Sequence, residues 1–158
     1  MHRLLQLTPQ RLRAADLALR LVLAAVLFYA SADKLLHPKD FAAAVKAYHI
    51  LPDVLVTVTA VWLPWLELAL GLSLVSGVWS EGAAVLTTGL FAAFWLALIV
   101  NYFRGIDVDC GCFSSAPASN TAEAAPMLWY IGRDAVLLGL ALLTTWVRLR
   151  VAGEKTAE

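Results

Sequence analysis

Charge is scarce in this chain, and what there is cancels. Twelve basic residues stand against twelve acidic ones, and together they make up only 15% of 158 residues. A net charge of zero removes the electrostatic argument for nucleic-acid binding, and it leaves no polybasic segment to hold a peripheral protein on an anionic membrane. Histidine is limited to His2, His37 and His49, so a metal centre needing three or four ligands has little to draw on. There is no Gly-rich phosphate loop, nucleophile elbow or metalloprotease motif, and no internal repeat. Cysteine occurs only twice, as Cys110 and Cys112 in the run Asp109-Cys110-Gly111-Cys112-Phe113. Two thiols flanking one glycine suggest a redox pair, and their setting has to decide.

That setting is apolar. Hydrophobic residues make up 61% of the chain and mean hydropathy is +0.74, against roughly 45–50% apolar residues in an ordinary soluble domain. Four runs are long enough to cross a hydrocarbon core of ~30 Å, near residues 17–36, 54–75, 83–103 and 127–146. Each is expected to be helical, because an isolated strand in lipid would strand its backbone N–H and C=O groups. A closed barrel would need short alternating segments, whereas these are continuous runs of Leu, Ala, Val and Trp. The fold class is therefore all-α: a polytopic four-transmembrane-helix bundle forming one domain over residues 1–158.

The connections agree with that count. His37-Pro38 ends the first span, and Phe41, Val45 and Tyr48 then recur at helical spacing, predicting a short amphipathic piece lying flat in the interface. The turn between spans two and three is short. The longest connection, about 23 residues from Arg104 to Pro126, carries both cysteines, and its Ser/Ala/Pro-rich second half reads as a loop. An even number of spans puts both termini on one side with Arg3, Arg11, Arg13, Arg20, Arg148, Arg150 and Lys155. Lys34, Lys39, Lys46, Arg104 and Arg133 lie opposite. Seven against five favours cytoplasmic termini and an outward cysteine loop at a bacterial inner membrane, on the oxidising side where disulfides persist. Ala30-Ser31-Ala32 imitates a signal-peptide cleavage site. The long polar lead before the apolar run and the charged pair Asp33-Lys34 after it argue for retention.

Four segments in order carry a family resemblance: Tyr29-Ala30-Ser31-Ala32-Asp33-Lys34-Leu35, Leu63-Pro64-Trp65-Leu66-Glu67-Leu68, Asp109-Cys110-Gly111-Cys112-Phe113 and Arg133-Asp134. Together they resemble the MauE family, which groups with DoxX-like four-helix redox-associated membrane proteins. The resemblance extends over nearly all of Leu17 to Trp146. One departure is that Ser114-Ser115 follows Phe113 where family members commonly place Gly. The resemblance implies redox maturation of extracytoplasmic proteins beside a periplasmic thioredoxin-like partner, a methylamine-utilisation role, and, through DoxX-like relatives, a link to quinone as a possible cofactor.

The thiol chemistry also has its own argument. A disulfide needs Cα atoms within about 4.4–6.8 Å, which residues two apart reach only where the chain folds back, and Gly111 permits that turn. So small a ring is expected to be strained and exchangeable, suited to passing oxidation to a partner. Three blander readings stand beside it: a structural disulfide, which would stabilise little across so short a loop, a metal site, and two unreacted thiols. Asp107 and Asp109 work against a lowered thiol pKa, because like charge disfavours the thiolate.

Within the spans, Glu67 stands out, because a carboxylate in mid-membrane costs ~2.5–3.5 kcal/mol on insertion scales and calls for a partner. Pro64, Glu67 and Gly71 share one small-residue face where another helix would pack. Arg133 is the expected partner, with Lys34 second and Asp134 beside Arg133. The pair reads either as glue fixing helix order or as a proton- or quinone-linked carboxylate. Trp62, Trp65, Trp79, Trp129, Tyr130 and Trp146 fall near span ends as interfacial anchors. Phe94 and Trp95 are candidates to floor a quinone site, although helix packing or lipid contact is the favoured reading of them. The competing functional class is a non-enzymatic scaffold or assembly subunit for a redox partner, or a quinone-linked DoxX-type subunit. Membrane lipids are certain neighbours, and a homodimer is compatible with four short helices. A small-solute transporter lacks the paired broken helices and inverted repeat it would need.

Overall fold

The computed structural model of the protein describes residues 9–50, 52–105 and 127–155. They form five helices: α1 (Pro9–Leu36), α2 (Pro38–Ala47), α3 (Asp53–Ser76), α4 (Ser80–Phe103) and α5 (Met127–Lys155). Prolines open α1 and α2, where a missing N–H costs nothing. Pro52, with extended backbone, precedes α3, and its carbonyl accepts the N–H groups of Leu55 and Val56. Gly77 ends α3 in the left-handed region at φ 79°, its N–H donating to Ser73 O. A side chain there would meet both that backbone and the Arg20 guanidinium, 3.1 Å from where a Cβ would sit.

Four of these helices are long and apolar enough to cross a membrane, over Leu12–Leu36, Asp53–Ser76, Ser80–Phe103 and Met127–Arg150, and no strand occurs among the described residues. The chain is an all-α, multi-pass membrane protein. Its burial pattern is that of a lipid-facing bundle. Trp62, Trp65, Val54 and Phe103 point outward, while Asp16, Arg20, Lys34, Glu67, Asn101 and Asp134 are buried. With lipid outside, apolar side chains gain nothing by turning inward, so polar groups seek each other in the interior.

Two helices exceed their apolar runs. α1 begins at Pro9, well before Leu17, and α5 continues past Trp146 to Lys155. Both extensions put charged groups into the bundle rather than into water, because Asp16 and Arg148 bind one another.

α1 packs most extensively on α3, and α4 on α5; the α3–α4 and α1–α5 seams are lighter. Both close pairs are antiparallel: Arg20, Phe28 and Ser31 of α1 meet Leu74, Gly71 and Pro64 of α3. Thr88 meets Thr145, and Trp95 meets Ile131. The end of α1, all of α2, the start of α3, the end of α4 and the start of α5 therefore share one end of the bundle, called here the loop end. α2 is the short helix expected after His37-Pro38, and it packs on α3. Phe41 is buried and the helix rests on α3, because Phe41 finds a cation inside the bundle that lipid could not offer.

Candidate functional site

Lys34 lies in the last turn of α1, close enough to the end for its long stem to reach the interface. It goes the other way. Helical side chains lean toward the N-terminus of their helix, and Lys34 follows that direction back along α1, its Nζ 3.4 Å from Ala30 O. There it donates to both carboxylate oxygens of Glu67, at 2.9 Å each. The two side chains are 0% and 3% exposed. The ring of Phe41 from α2 lies 5.3 Å from the ammonium and that of Phe94 from α4 5.9 Å, so two aromatic faces add cation–π attraction.

Glu67 is thus paired as the membrane cost requires, but with Lys34 and not with Arg133. The reason is which helix its face meets. Pro64, Glu67 and Gly71 are all buried and all turn to α1: Ser31 Oγ donates to Pro64 O at 2.9 Å, and a Cβ at Gly71 would lie 2.8 Å from Phe28 Cε1. Pro64 lacks the N–H that an α3 interior residue would donate. Arg133, on α5, instead binds Asp134 at 2.8 Å and lies over the Tyr130 ring at 5.4 Å. A buried ammonium held by both oxygens of one carboxylate and closed over by two phenyl rings fixes four helices at one point.

A second polar layer occupies the opposite end and escaped the sequence reading. Arg148 of α5 donates to Asp16 Oδ2 of α1 at 3.0 Å and to Ser80 Oγ at the start of α4. Arg20, 3.6 Å from the same Asp16 oxygen, donates through Nε to Leu74 O at 2.7 Å and again through Nη2. A guanidinium at the last turn of α3 meets the negative end of that helix dipole. The signal was the Asp16/Arg20 spacing of four within a helix. Arg20 and Arg148 stand near the ends of their apolar runs and so read in sequence as flanking charges.

Asn101 is fully buried near the end of α4, and neither amide atom has a hydrogen-bond partner among the described residues. Trp95 donates its indole N–H to Ile131 O at 3.2 Å and so ties α4 to α5, whereas Phe94 faces the Lys34 ammonium. No group of three metal-ligating side chains occurs among the described residues. Asp109, Cys110, Gly111, Cys112 and Phe113 lie outside the described residues. The connection that carries them leaves α4 and enters α5 at the loop end.

A four-span bundle with an intramembrane Lys–Glu bond and a Cys-Gly-Cys connection matches the family model described as methylamine utilisation protein MauE across residues 12–147. The chain belongs to the MauE family. A MauE of Paracoccus denitrificans is 35% identical over 127 residues, covering 79% of this chain and 65% of the relative. One of Methylophilus methylotrophus is 34% identical over 140 residues, covering 88% and 70%. One of Methylorubrum extorquens is 33% identical over 130 residues, covering 81% and 67%. The chain therefore spans about two thirds of the length of these MauE relatives. No solved structure matches. The MauE match runs through both polar layers, from before Asp16 to just short of Arg148.

Proposed function

We propose that this MauE-family protein exchanges disulfide and dithiol equivalents between Cys110-Cys112 and a periplasmic thioredoxin-like partner, at the outer face of a bacterial inner membrane. The observation that carries the reading is the Cys-Gly-Cys run, the chain's only cysteines, in the longest connection between its spans. Family membership adds a role in methylamine utilisation, as maturation of an extracytoplasmic protein of that pathway. In the exchange, a thiolate of one protein attacks a sulfur of the other's disulfide. A mixed disulfide forms as one thiolate leaves, and the remaining thiol of the attacking pair resolves it. Two electrons and two protons pass from the dithiol to the disulfide, so the reaction balances between the two cysteine pairs in either direction.

Thiol trapping on intact cells tests this. An impermeant alkylating reagent is expected to label the pair only after mild reduction, and one of Cys110→Ser and Cys112→Ser is expected to accumulate a mixed disulfide with the partner. Labelling from the cytoplasmic side alone, or variants that trap no partner and still support maturation, would overturn it in favour of a non-enzymatic scaffold.

A further inference from the structure

The lighter α3–α4 seam is not filled by side chains at the loop end. α2 packs on α3 beside it, and residues of α2, α3 and α4 together line a half-open cavity of about 270 Å³. Its depth follows from the helix rise. On α3 it runs past Thr59 to Leu63, about 9 and 15 Å from the first residue of the helix, and on α4 past Ala97 to Ala93, about 9 and 15 Å from the last. It therefore reaches from the interface to about half of a ~30 Å core, the depth of one leaflet.

Polarity falls along that depth. The hydroxyl-bearing lining residues, Tyr48 and Thr59, lie nearer the mouth than Leu63, Ala93 and the rings of Phe41 and Phe94. A ligand that inserted a carbonyl- or hydroxyl-bearing ring first would bury polar atoms without partners among those apolar side chains, which is unfavourable. A hydrocarbon chain loses nothing. Its polar head would then sit at the shallow end, where exposed Arg104 caps α4. Arg104 Nη1 lies 3.4 Å from both Tyr48 O and His49 O, which anchors the guanidinium beside the cavity mouth. A guanidinium carries five N–H donors in a fork that suits phosphate, and Nη1 supplies only two of them.

We infer that this cavity is a binding site for one acyl chain of an anionic phospholipid of the loop-end leaflet, with the headgroup phosphate on Arg104. The bound chain completes the α3–α4 seam and wedges α2 in place. Its walls include Phe41 and Phe94, so the same two rings contact the lipid on one side and the Lys34 ammonium on the other.

The test is photocrosslinking of the full chain in nanodiscs containing phosphatidylglycerol with a diazirine halfway along one acyl chain. Cross-links are expected to concentrate at Leu63 and Ala93, to fall several-fold in Ala97→Phe and in the milder Ala93→Leu, and to be competed by unlabelled phosphatidylglycerol better than by phosphatidylcholine. Arg104→Gln is expected to abolish that headgroup preference while the chain still cross-links. Labelling at Leu63 no stronger than at the outward residues Val136 and Leu142 of α5 would mean annular lipid only and would overturn the site. Displacement by a soluble quinone analogue but not by phosphatidylglycerol would overturn the acyl-chain occupant.

Discussion

Lys34 and Glu67 carry opposite charges into a medium that tolerates neither alone. Their mutual contact at 2.9 Å offsets a desolvation cost that each would otherwise bear in full. Removing one partner leaves the other buried without a counter-charge, so Glu67→Gln is expected to destabilise the bundle by about 3–5 kcal/mol. Lys34→Gln combined with Glu67→Gln should recover much of that, giving a large coupling in a double-mutant cycle read by unfolding in mild detergent. Arg133→Gln combined with Glu67→Gln should be additive, since Arg133 bonds Asp134; coupling there and none with Lys34 would refute the pairing. Asn101 makes the opposite case. Its buried amide has no partner among the described residues, so Asn101→Leu removes a desolvated polar group and is expected to stabilise by about 1 kcal/mol. A loss of stability, or loss of maturation with the fold intact, would reveal a partner for that amide.

At the scale of elements, close approach of α1 and α3 depends on Gly71. A Cβ there would lie 2.8 Å from Phe28 Cε1, well inside contact distance. Gly71→Leu should cost about 1–3 kcal/mol or more through overpacking. Phe28→Ala should rescue it by vacating the same space, and no rescue in thermal unfolding would mean that the two helices do not meet at this point. α2 rests on α3 with Phe41 buried. Its apolar spacing is equally consistent with lipid and with protein, since both are apolar. Its direction was decided by Phe41 closing over the Lys34 ammonium, a contact made across helices and invisible in either segment alone.

For the whole molecule, one polar layer inside the bundle and another at the end opposite the loop end hold an otherwise apolar bundle in order. With cytoplasmic termini, the turn at Trp79, which is 87% exposed, faces inward, and Phe103, 82% exposed, lies at the outer end. In a chain lacking the native cysteines, Phe103→Cys is expected to react with an impermeant maleimide on intact cells, and Trp79→Cys only after permeabilisation. The reverse pattern would invert the topology and place the Cys110-Cys112 connection in the reducing compartment, where disulfides do not persist.

The sequence by itself determined the helix count, the membrane setting and the need for Glu67 to find a charge, because run length and the cost of a bare carboxylate in lipid are local properties. It also made legible the Pro64, Glu67 and Gly71 face, because helical spacing is local too. Which cation reaches Glu67, where α2 rests and how Asp16, Arg20 and Arg148 join four helices were decided only by the tertiary structure. In a bundle whose outside is as apolar as its inside, hydropathy does not say which face turns inward. That choice falls to a few polar contacts between residues far apart in the chain.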